Sequence, residues 1–129
     1  MKVYVSAKWH LKDQVKQIMA QLRAKGHEIT EDWTERAFER EYDKFEQSGE
    51  FSERELEAIL ASDILIHLSD GGGKGKYVDL GIALAGKKLQ GKPSIIYVVG
   101  ENTNESQFYL HPYVKRRKTI EGVLEDLKS

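Results

Sequence analysis

The sequence contains no cysteine. That excludes disulfide bonds, thiolate metal sites and a cysteine nucleophile, and it agrees with a reducing compartment. No apolar run is long enough to cross a bilayer, and there is no internal repeat, low-complexity tract or interdomain linker. Neither sign of charge is in excess: 20 basic against 21 acidic side chains leave a net charge of −1. Without a global field to steer it, the chain is expected to have no nucleic-acid and no membrane partner. The first residues run straight into a strand-like segment and lack signal-peptide architecture, so the expected location is the cytoplasm.

What is present suits one globular domain spanning residues 1–129. The length is near the modal domain size, and 40% hydrophobic with 32% charged residues is a globular balance. Val3, Tyr4 and Val5 mark a first buried strand. Leu11, Val15, Ile18, Met19 and Leu22 follow at helical spacing until Gly26, a C′ glycine. His27 to Thr30 is a short second strand. Phe38, Tyr42 and Phe45 give one aromatic helix face, or a partly ordered lid, which Ser48-Gly49 ends. Ser52-Glu53-Arg54-Glu55 matches a capping box that opens another helix. The run Asp63 to Leu68 reads as a central strand, Tyr77 to Ala85 as a helix packed on a sheet, and Pro93 to Val99 as a further buried strand. Gly100 to Pro112 reads as a loop, Tyr113 to Lys118 as an edge strand, and Thr119 to Leu127 as a helix capped by Thr119. Strands alternating with helices predict an α/β fold of Rossmann or flavodoxin type: a doubly wound parallel sheet of about five strands. Ligands in such sheets bind beyond the carboxyl ends of the strands at the switch point, here residues 6–10 and 69–76.

Four features near those loops have chemistry to offer. Asp70-Gly71-Gly72-Gly73-Lys74-Gly75-Lys76 joins a strand to a helix. It is either an anion cradle with two lysines or a surface turn; its spacing is neither a Walker loop nor GxGxxG. Asp79 lies in an apolar helical run, as a cleft carboxylate that the helix terminus keeps ionised or as a solvent-facing dipole acid. Glu55 is first of all the glutamate of the capping box. Trp9 and His10 follow strand one, where an aromatic can stack on a flat ligand or close the core. The four histidines show no metal-ligand spacing, and His67 reads as a core residue.

Three stretches together resemble the nucleoside 2-deoxyribosyltransferase-like superfamily, which includes deoxynucleoside 5′-monophosphate N-glycosidases. Tyr4-Val5-Ser6-Ala7-Lys8-Trp9 is similar to its opening strand and loop. Ala61-Ser62-Asp63-Ile64-Leu65-Ile66 is similar to its third strand. Gly75-Lys76-Tyr77-Val78-Asp79-Leu80-Gly81-Ile82-Ala83 is similar to its G-x-x-x-E-L-G-x-A motif. Asp32-Trp33-Thr34 matches a "DWT" of small bacterial members. The resemblance implies a retaining N-glycosidic mechanism with Asp79 as nucleophile, Glu55 as acid/base and Tyr4 holding the nucleophile. The two carboxyl groups would lie roughly 5–5.5 Å apart by analogy with retaining O-glycosidases. It further implies a small nucleoside or nucleotide ligand bound by Ser6, Lys8, Trp9, Asp70, Gly73, Lys74, Gly75 and Lys76, with no metal and no cofactor. A homo-oligomer is implied too, in which the loop Asn102 to His111, with Phe108 and Tyr109, helps close a neighbour's site. Two departures stand out: aspartate replaces glutamate at 79, and glutamate replaces aspartate at 55. The alternatives are a nucleotide-binding module without catalysis and an NAD glycohydrolase.

Overall fold

A computed structural model describes residues 1–36, 45–102 and 104–128. Strand β1 (Lys2–Ser6) has Val3 to Ser6 buried, and every residue of β3 (Ile64–Leu68) is buried. A strand covered on both faces belongs at the centre of a sheet with a layer on either side. With β2 (Glu28–Ile29), β4 (Ile95–Val99) and β5 (Val114–Arg117), these strands form one all-parallel sheet in the order β2-β1-β3-β4-β5. The chain leaves β1 towards β2 on one side and returns to β3 on the other. The switch point therefore lies between β1 and β3, as the sequence predicts.

Strand register assigns the layers. Ser6 is the Cα partner of His67. The face carrying both meets helix α3 (Gly75–Gln90): Ser6 bonds Asp79, and the Tyr77 ring centre is 5.9 Å from that of His67. Helix α2 (Phe45–Ala61) packs beside α3. On the other face, Tyr97 of β4 donates to Asp126 of α4 (Ile120–Asp126) at 3.1 Å. The right-handed crossover from β1 to β2 puts α1 (Lys12–Ala24) on that second face. There α1 buries Val15, Ile18, Met19 and Leu22. It ends as predicted at Gly26: the Gly26 and His27 amides donate back to the Arg23 and Leu22 carbonyls, and Gly26 takes φ +90°.

Several expectations change. The predicted break at Ser48-Gly49 and the capping box at Ser52 are both absent, because α2 runs unbroken through them. Its inward face, with Phe51 and Glu55 half-buried and Ala58 and Ile59 buried, outweighs one exposed glycine. Ser52 is a mid-helix residue whose hydroxyl donates to the Gly49 carbonyl at 2.9 Å. Helix α3 continues past Ala85 through the polar Lys87 to Gln90 and stops at Gly91, which takes φ +77°. Tyr109 is fully buried and hydrogen-bonded to His67 at 2.7 Å, so it belongs to this chain's own core; Phe108 stays exposed beside it. The aromatic face of Phe38, Tyr42 and Phe45 lies outside the described residues, apart from the backbone of Phe45 that opens α2. Among the described residues, no helix is long and apolar enough to cross a membrane.

The two hydroxyl positions separate a cap from a mid-helix residue. Thr119 accepts from the Gly122 amide as the N-cap of α4, so Thr119→Ala should cost about 1 kcal/mol. Ser52→Ala should stay within about 0.5 kcal/mol of the parent. Urea midpoints of both variants check this, and a cap-sized loss at Ser52 would mean that α2 starts there.

Candidate active site

Beyond the carboxyl ends of β1 and β3 opens a cleft of about 510 Å³, within the range of small-molecule sites. One wall is the chain leaving β1, from Ala7 to His10. The opposite wall is the glycine loop from Gly73 to Lys76 with the first turns of α3. Residues 48–55 of α2 and the short turn at Trp33–Glu35 with Arg36 close the remaining side.

Asp79 lines the base of this cleft. The Ser6 hydroxyl, buried at the end of β1, donates to Asp79 Oδ2 at 2.8 Å. Burial pushes the carboxyl up from its ordinary 3.8 to about 6, while the Ser6 bond and the Arg36 charge pull the other way. Desolvation therefore outweighs the helix terminus that the sequence suggested would keep it ionised. Near neutral pH the group is still mostly charged, and it changes state close to the working range of an acid or nucleophile.

Glu55 projects from α2 into the same cleft and forms an ion pair with Arg36. The Arg36 guanidinium also lies 4.6 Å from the Phe51 ring centre. Burial weakens its hold on its proton, and the Tyr4 hydroxyl, Glu31 and Asp79 offset that effect. Tyr4 is buried among these groups. Burial first, and then the Asp79 charge, keep its phenol protonated far above the usual range. The direct bond to Asp79 comes from Ser6, two residues along the strand on the same face.

The predicted ligand residues divide. Trp9, Lys8, Gly73, Lys74, Gly75 and Lys76 line the cleft. Two of the three lysines, however, face the loop itself. Lys8 Nζ donates to the Gly71 carbonyl at 2.8 Å. Lys76 is 2% exposed, and its ammonium donates to the carbonyls of Asp70 and, at 3.4 Å, Leu68. Asp70 is exposed and takes part through that carbonyl. Lys74 is exposed at the rim. Gly73 takes φ +80°, and a Cβ there would lie 2.6 Å from Lys8 Cβ. Only glycine allows the loop to approach β1's exit so closely.

Trp9 is tilted against Trp33, ring centres 6.2 Å apart, and Trp33 is pinned by its indole N–H to the Val5 carbonyl at 2.7 Å. Residue-by-residue reading missed Arg36 and Phe51. Phe51 was accessible in principle, since Phe51, Glu55 and Ala58 share one helical face. Arg36 carried no local signal in a stretch crowded with charge. Among the described residues, no three acidic or histidine side chains gather to hold a metal ion.

No protein-family model matches the chain, and no curated protein matches it by sequence. Among solved structures it is similar in fold to the Clostridium botulinum CMP N-glycosidase BcmB. The TM-score is 0.61 at 19% identity, over 98% of this chain and 97% of that one.

The raised Asp79 pKa has a stability consequence of definite sign. The folded state binds this proton more tightly than the unfolded chain, so stability is lost as pH rises from about 4 to about 6. Asp79→Asn should therefore stabilise the fold at pH 7.5 by on the order of 1–3 kcal/mol and leave it unchanged near pH 3.5. Urea unfolding at both pH values tests this; equal shifts at the two would mean that the carboxyl titrates normally.

Proposed function

We propose that the protein cleaves the N-glycosidic bond of a nucleoside or nucleoside 5′-monophosphate by a retaining, two-carboxylate mechanism. The observation that carries this is the pairing within one cleft of a desolvated carboxylate, Asp79, with a second carboxylate, Glu55, on the opposing helix. The fold shared with a CMP N-glycosidase over nearly the whole of both chains supports the same chemistry.

In this reading one Asp79 oxygen bonds to the anomeric carbon as the carbon–nitrogen bond breaks. Ser6 holds Oδ2, leaving Oδ1 to attack. The electron pair leaves with the base, which takes a proton from Glu55. Water, or an acceptor base in a transferase, then attacks the anomeric carbon and gives its proton to Glu55, and the Asp79 carboxylate departs. Negative charge at Asp79 stabilises the oxocarbenium-like transition state. Tyr4, neutral and buried beneath the pair, offers a phenolic donor, and Trp9 at the mouth offers a stacking face for the base. Hydrolysis and transfer share every step up to the acceptor.

A nucleotide-binding module without catalysis is the second reading. The observation favouring it is the ion pair that engages Glu55 with Arg36, since a carboxylate held ionised cannot donate a proton.

Base release from nucleosides, nucleoside 5′-monophosphates and NAD separates these readings. Wild type should release base from at least one class, and Asp79→Ala should lower that rate about 10³-fold or more. The value of kcat/KM should fall about tenfold per pH unit below about pH 6, as the Asp79 carboxyl takes up its proton. Ligand-induced thermal stabilisation without any release would favour the binding module.

A further inference from the structure

Building on the N-glycosidase reading, on which it rests, we infer that the Arg36–Glu55 ion pair is a displaceable latch. The phosphate monoester of a nucleotide draws the guanidinium away from Glu55 and so frees that carboxylate for proton transfer.

Four observations lead there. Both partners line the cleft, and their side chains keep 20% and 25% of their exposure, so a ligand in the cleft can reach the pair. The lysines at the glycine loop are differently placed: Lys8 and Lys76 hold backbone carbonyls, and removing either would release the loop. Arg36 instead holds a side-chain anion, which another anion can replace through the same fork geometry. The fork is also unsaturated, because Arg36 Nε is buried without a hydrogen-bond partner. One carboxylate cannot engage five N–H donors, and the three oxygens of a phosphate monoester engage more of them. Finally, the Phe51 face lies 4.6 Å from the guanidinium, so a cation stacked on it can exchange anions and keep its aromatic contact.

The consequence is selectivity. A neutral nucleoside leaves the latch closed and Glu55 ionised, in the wrong form to protonate a leaving base. A 5′-monophosphate opens it, and the freed carboxylate takes up a proton from water, which it can then pass to the leaving base. Arg36 acts through Glu55 and through the substrate's phosphate, as a positioning and specificity-determining residue.

The test is a binding cycle read without turnover. Calorimetry with inorganic phosphate, a nucleoside 5′-monophosphate and the matching nucleoside would be run on wild type, Glu55→Gln, Arg36→Gln and the double variant. Glu55→Gln removes the competing anion and should tighten phosphate and monophosphate about fivefold relative to any change in nucleoside affinity. Arg36→Gln should weaken both anions, and the double variant should match it. Tightening that persists in the Arg36→Gln background would reflect general loss of negative charge and would overturn the latch. So would a Glu55→Gln variant that binds no tighter. If Arg36→Gln fails to fold, Arg36→Lys keeps the charge without the fork and should still weaken both anions. Turnover adds a second readout: Arg36→Gln should collapse the ratio of kcat/KM for monophosphate over nucleoside. Nucleoside cleavage stimulated by free phosphate would separate the activating anion from the substrate and overturn the nucleotide assignment. Absence of base release with the binding cycle intact would remove the enzyme reading and leave the latch as an anion-sensing contact.

Discussion

A carboxylate in a closed cleft keeps its charge only where neighbouring donors replace the water it has lost. Asp79 is held at that boundary. Burial favours the neutral acid, while the Ser6 hydroxyl and the Arg36 charge favour the anion. The rest of the cleft follows from where those two groups come from. Ser6 ends β1 and Asp79 lies in the second turn of α3, so their bond spans the switch point and closes the space between the sheet and the helix. Arg36 comes from the chain after β2, and Glu55 from α2. Four separate segments therefore meet around one cleft.

The cations around it are less available than a count of lysines suggests. An ammonium removed from water needs acceptors, and Lys76 finds two in the carbonyls at the end of β3 and the start of the glycine loop. Lys8 reaches across from β1's exit to a third. The two lysines brace the loop from opposite sides, and Gly73 completes the brace by letting the backbone touch Lys8. A loop that reads as an anion cradle is thus held rigid by much of its own charge. The positive charge left to meet a ligand lies at Lys74 and at Arg36, which holds a side-chain anion rather than the loop.

The fold was legible in the sequence because its signals are local and repeated. Buried β-branched runs at Val3–Val5 and Ile64–Leu68, a C′ glycine at Gly26 and a threonine cap at Thr119 each encode their element without distant context. Errors arose where two local codes competed. Ser52-x-x-Glu55 satisfies a capping box and a helix interior equally well, and only the buried face running through Phe51, Glu55 and Ala58 decides between them. The burial of Tyr109 within its loop has no local signal, because its partner, His67, is 42 residues away. The carboxylates were reached through the resemblance to a family motif. The ion pair that engages Glu55 was invisible for a physical reason: Arg36 is one charge among many in its stretch, and only its contacts with Phe51 and Glu55 of α2 single it out.

The lengths of the two acidic side chains at positions 55 and 79 suit that geometry. A donor on a strand is fixed, so the carboxylate it holds must stop at hydrogen-bond distance. Aspartate at 79 places Oδ2 at 2.8 Å from Ser6. Glutamate at 55 has the opposite task. It projects from α2 into the cleft and reaches across to Arg36. Each acid is thus met by a donor from another segment: Ser6 holds Asp79, and Arg36 pairs with Glu55. Two carboxylates therefore face one cavity, each held by a partner from a different element of the fold.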